Sequence, residues 1–96
     1  MSPINKKKLT SLRSKLDKLD NQLLKIIKKR SILVNQVLKI KVYKKEIIDQ
    51  KRSNFILNKI KGKSKKLGID PKITNRIWKN MIWSYIDYER RNFKKK

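Results

Sequence analysis

An all-α chain of three helices, one long and two shorter, is what this sequence predicts. Apolar residues recur at alternating spacings of three and four from Leu9 to Ile40, which is the heptad seam of a long packed helix. No proline or glycine stands between Pro3 and Gly62, so nothing forces an early break. No stretch shows the period-two alternation of a half-buried strand.

The first helix is expected from about Asn5 to about Lys41. Its seam runs Leu9, Leu12, Leu16, Leu19, Leu23, Ile26, Arg30, Leu33, Val37, Ile40. At 1.5 Å per residue the helix is roughly 55 Å long. A compact chain of this size has a radius of gyration near 12–13 Å and is only about 32 Å across. The seam therefore outruns its own domain and calls for another chain, most simply a second copy across a two-fold axis.

Residues 42–48 lose the seam and read as a connection. Asp49 is placed to cap a second helix, roughly Gln50 to Lys66, with Phe55, Ile56 and Ile60 on its apolar side. Gly62 weakens that helix, and Gly68 suits its C-terminus. Asp70 and Pro71 then open a third helix, aspartate at the cap and proline in the first turn, reaching about Phe93. Residues 94–96 form a basic tail expected to fray. The whole of 1–96 reads as one small domain.

Composition removes several classes of chemistry. There is no cysteine and no histidine, so thiolate chemistry and the commonest general base and metal ligand are absent. No run of about 18 apolar residues exists to span a membrane. No apolar segment follows the N-terminal lysines as a secretory signal would require, and a cytoplasmic location is expected. The formal charge is +22, which suits a polyanion partner. Yet lysine, isoleucine and asparagine are abundant and alanine is missing, as AT-rich coding would produce. The lysines are spread over every segment rather than gathered in one stripe, so nucleic acid is disfavoured as a partner. Such a surface still steers small anions inward.

Polar residues on apolar stripes mark a candidate site. Arg30 interrupts the seam, and an arginine cannot shed its charge when buried. Lys41 follows eleven residues later, close to three full turns, so both face the same way about 16 Å apart along the axis. Arg13 lies about 100° away on the wheel and is better placed to serve a neighbouring chain. Arg52 sits on the turn between Ile48 and Ile56, and Glu89 ends the stripe Trp78, Ile82, Tyr85. Each has a plainer reading: an Arg30–Glu89 structural ion pair, a snorkelling Lys41, a solvated Arg52. Together, one carboxyl facing several cations suggests a pocket for a small polyanion. Without a nucleophile–base pair, a metal cluster or a glycine-rich phosphate loop, hydrolysis and phosphoryl transfer lack their equipment. What remains is a reaction needing only a folded substrate and a stabilised developing charge, and a pericyclic rearrangement is of that kind.

At these residues the chain resembles the all-helical chorismate mutase family. Leu12-Arg13-Ser14-Lys15-Leu16-Asp17-Lys18-Leu19-Asp20 is similar to that family's opening Leu-Arg-x-x-Ile-Asp-x-Ile-Asp. Arg30 and Lys41 follow at the family's spacings. Asp49-Gln50-Lys51-Arg52 resembles the Asp-x-x-Arg that opens its second helix, and Asp70, then Arg76-Ile77-Trp78 through Ile82 and Ile86 to Glu89, resembles its third. The likeness covers about residues 9 to 90.

The resemblance implies an intertwined homodimer with two equivalent sites, a cofactor-free Claisen rearrangement of chorismate to prephenate, and a place in aromatic amino acid biosynthesis through the shikimate pathway. It implies that Arg30, with Arg13 of the other chain, holds the two carboxylates. Lys41 and Glu89 would meet the ether oxygen, and Asp49 and Arg52 would line the side holding the ring hydroxyl. Relatives often carry glutamate where Ser53 stands and serine where Tyr85 stands, and the connection from Lys41 to Arg52 is one residue short. These features, with the run Ser84-Tyr85-Ile86, drift toward the related isochorismate pyruvate lyases, which share the fold and the cations. Glu89 replaces a more frequent glutamine and is expected to act in its protonated form, since an ionised carboxylate would repel a developing oxyanion. A basic helical nucleic-acid binder and a purely structural helical dimer are the competing readings.

Overall fold

A computed structural model describes residues 2–94, so Met1 and the tail residues Lys95 and Lys96 lie outside it. Helix α1 spans Pro3–Ile40, α2 spans Gln50–Lys66 and α3 spans Pro71–Asn92. The chain is thus all-α with three helices, as expected, and no helix among the described residues is long and apolar enough to cross a membrane. Its contacts divide it into two units, one up to Leu33 and one from Val34 onward.

The first unit is the greater part of α1. The helix starts earlier than its apolar pattern suggests, because Ser2 caps it: the Asn5 amide donates to Ser2 Oγ at 3.2 Å. Pro3 then takes the first helical position, where its missing N–H costs nothing. The seam residues Leu12, Leu16, Leu19, Leu23 and Ile26 are between 51% and 57% exposed. A contiguous apolar stripe of that extent is uncommon on a monomer's free surface.

The second unit holds the end of α1, α2, α3 and a short 3-10 turn, Lys44–Ile47, inside the stretch that the sequence marks only as a connection. The turn closes locally. The Glu46 amide donates to the Tyr43 carbonyl at 3.0 Å, and the Tyr43 amide donates to Glu46 Oε1 at 3.1 Å. It packs against α3 and buries Ile47, which joins Leu38 and Ile86 as the buried apolar residues of the described chain.

Both later helices start where the sequence places them. Asp49 accepts from the Arg52 amide at 3.0 Å, and Asp70 accepts from the Lys72 amide at 2.9 Å, each satisfying a first-turn donor. Helix α2 ends in a Schellman arrangement. The Gly68 amide donates to the Lys65 carbonyl at 3.2 Å and the Ile69 amide to the Ser64 carbonyl at 2.9 Å. Gly68 has φ +71°, a left-handed conformation that favours glycine.

Helix α2 packs along α3 through a buried hydroxyl pair, Ser64 and Thr74, with their oxygens 2.7 Å apart. Each hydroxyl also has a carbonyl within reach, Ser64 Oγ that of Ile60 at 2.7 Å and Thr74 Oγ1 that of Pro71 at 3.3 Å, so either can donate to the other. Thr74→Val keeps the shape and removes that hydroxyl, leaving Ser64 one partner fewer. A stability loss of about 1 kcal/mol is expected by chemical denaturation. Combining it with Ser64→Ala should cost less than the two single losses added.

Candidate active site

Glu89 sits on α3 one turn past the buried Ile86, so the helix carries it to the edge of the small apolar core. It is only 5% exposed. Lys41 follows the last residue of α1, its amide tightening the helix end by donating to the Leu38 carbonyl at 3.3 Å. From there its side chain reaches Glu89, with Nζ 3.0 Å from Oε1. The end of α1 and α3 thus bring together two charges 48 residues apart in sequence. Stripping water from either ion alone costs several kcal/mol, so each is the condition for burying the other. Glu89 thus has a structural ion pair with Lys41.

Of this pair, Lys41 lines an open cavity of about 410 Å³, together with Glu46, Ile48, Asp49, Gln50 and Lys51. Its size falls at the lower end of clefts that hold small ligands, roughly 300–1,000 Å³. Asp49 thus has two roles open to it, since its Oδ1 caps α2 while its side chain lines the cavity. Glu46 and Gln50 line the same cavity and were not singled out from the sequence. The available signal was Glu46's place in the seamless stretch between Lys41 and Asp49.

Ser53 is half-buried and lines a second groove with Ile82 and Ile86. Tyr85 is half-buried on α3, one turn before Glu89. Arg52 is exposed, and its guanidinium carbon lies 5.5 Å from the centre of the Phe55 ring. The second unit thus holds Lys41, Asp49, Arg52, Ser53, Tyr85 and Glu89, and it joins Lys41 directly to Glu89. Arg13 and Arg30 belong to the first unit, where Arg13 is exposed and Arg30 half-buried. Among the described residues no group of three or more acidic side chains could hold a metal ion.

A lysine–carboxyl pair whose lysine borders a small cavity can do two things for a molecule that reaches both groups. The ammonium can stabilise an oxygen on which negative charge grows, and the carboxyl can donate to that oxygen when it carries a proton. No curated protein and no solved structure gives a match to the chain. A family model described as chorismate mutase type II matches residues 12–90, from the turn carrying Arg13 to the residue after Glu89. With a match of that span over an all-helical fold, this chain belongs to the chorismate mutase type II family.

Proposed function

We propose that the protein is a chorismate mutase, turning chorismate into prephenate by a Claisen rearrangement. In one concerted step the ether C–O bond breaks, a C–C bond forms, and no atom is gained or lost. The rearrangement needs the enolpyruvyl chain folded over the ring and the charge on the ether oxygen offset. Arg30, with Arg13 from a second copy, grips the two carboxylates. Lys41 and Glu89 meet the ether oxygen, and Asp49, Arg52, Ser53 and Tyr85 surround the ring. No cofactor enters the reaction. The Lys41–Glu89 pair carries this reading, because it puts a cation and a potential donor together at the edge of a dry core.

The exposed α1 seam supports an intertwined homodimer, in which the seam of one copy covers that of the other and Arg13 crosses between them. Sedimentation at micromolar concentration is expected to show two chains. A cytoplasmic place in aromatic amino acid biosynthesis follows from the same reading.

A single substitution tests the part Glu89 plays. Only the protonated carboxyl can donate to the ether oxygen, and the ionised form repels the charge growing there. Glu89→Gln, whose uncharged amide donates at any pH, should keep activity near neutrality. A Glu89→Gln enzyme inactive across the whole range removes Glu89 from this role.

A second reading has specific support. Ser53, Tyr85 and the shortened connection lean toward an isochorismate pyruvate lyase on the same fold. Incubation with chorismate and, separately, with isochorismate decides between them. Prephenate from the first identifies the mutase, and pyruvate released from the second identifies the lyase. Neither product from either substrate defeats both.

A further inference from the structure

Of the seven cations on α2, four fall into one row with Phe55 once the helix is built, while Lys51, Lys61 and Lys65 stand on other faces. Arg52, Phe55, Lys59, Lys63 and Lys66 follow one another at spacings of three, four, four and three. At 3.6 residues per turn they fall within an arc of about 80°, over roughly 21 Å of axis. All five are exposed, while the packed face of α2 holds Ser53, Ile56, Leu57, Ile60 and Ser64, each half-buried or buried. Helix α2 carries no carboxylate, and none occurs between Asp49 and Asp70. In this α2 differs from α1, which contains Asp17 and Asp20, and from α3, which contains Asp87 and Glu89. Coding drift raises lysine everywhere but gives no reason for a row.

Phe55 gives the row its character. The residue is 55% exposed, and two cations stand over its ring, the Arg52 guanidinium carbon at 5.5 Å and Lys59 Nζ at 5.7 Å from the ring centre. An exposed aromatic flanked by cations along one track matches what an unpaired strand presents, a base to stack and phosphates on either side. A duplex keeps its bases stacked inside and has nothing for the ring. A lipid surface would use a broader apolar face than one phenyl group.

We propose that the exposed α2 stripe binds single-stranded nucleic acid, Phe55 stacking on a base while Lys59, Lys63 and Lys66 follow the phosphates. This surface stands independently of the catalytic reading, because none of those three lysines belongs to the candidate site. The test is fluorescence anisotropy of a labelled oligouridylate of about 12 nucleotides, titrated with the full-length protein over a range of salt that includes about 0.15 M. Replacing the three lysines together (K59Q, K63Q and K66Q) should flatten the log-affinity against log-salt slope by about 2, some 0.7 for each lost phosphate contact. Phe55→Leu should keep the fold and weaken binding roughly tenfold through lost stacking. The lysine variant should keep its turnover of chorismate or isochorismate. Unchanged oligonucleotide binding in either variant overturns the proposal. So does equal competition by a duplex of the same length or by phosphatidylserine vesicles, since then the charge alone attracts any polyanion.

Discussion

Arg30→Leu is expected to lower kcat/KM by about 10²–10³-fold, the usual consequence of removing a charged, multiply bonded contact to a reacting anion. The same change should leave the melting temperature where it is or raise it. Leucine suits a seam position whose neighbours on the stripe are Ile26 and Leu33, and an apolar residue in a packed seam is normally no worse than a buried charge. The two measurements together separate function from structure. An arginine kept to hold helices together would lose stability first, with turnover falling only as the folded fraction falls. An arginine kept to hold a substrate carboxylate loses turnover in a protein that is fully folded. Steady-state kinetics beside thermal denaturation of the same preparation reads both, and full activity in Arg30→Leu removes the residue from the site.

Lys41→Met should damage both properties, for separate reasons. The pair is well screened from water, with side-chain exposures of 17% for Lys41 and 7% for Glu89. Methionine keeps the length of the stem but leaves the Glu89 carboxyl buried without its cation. Breaking a buried pair on one side costs about 3–5 kcal/mol; the lower end applies here because Lys41 keeps some contact with solvent. Turnover should fall by about 10²–10³-fold as well, because the cation that offsets charge on the ether oxygen is gone. The double variant Lys41→Met, Glu89→Gln distinguishes the two effects. It removes both charges, so most of the stability should return, while turnover stays low. If turnover returns together with stability, the pair is a structural tie and the oxygen-stabilising role is lost.

Much of this architecture was legible in the residue order. The α2 span, its aspartate cap and the Asp70–Pro71 start of α3 follow from local rules that act within one turn of helix. The early start of α1 was missed because Ser2 and Pro3 lie outside the apolar pattern that marked the helix. The short turn at Lys44–Ile47 was missed for a related reason. A single turn has no periodicity to read, and its stability comes from the Tyr43–Glu46 hydrogen bonds and from burying Ile47 against α3. Lys41 and Glu89 stood out as polar residues on apolar stripes, but nothing in their spacing says that they meet.

By itself the sequence determined three helices, their caps, an unpartnered seam, and a chemistry without thiol or imidazole. Those features depend on side-chain type and on distances of a few residues, which the helix repeat converts directly into direction. The tertiary structure decided which charges become neighbours. It set Lys41 against Glu89 and opened the cavity shared with Asp49 and Glu46. A helical period fixes the face on which a residue stands, but what stands opposite depends on how separate elements pack, a matter of three-dimensional fit and desolvation that no one-dimensional spacing contains.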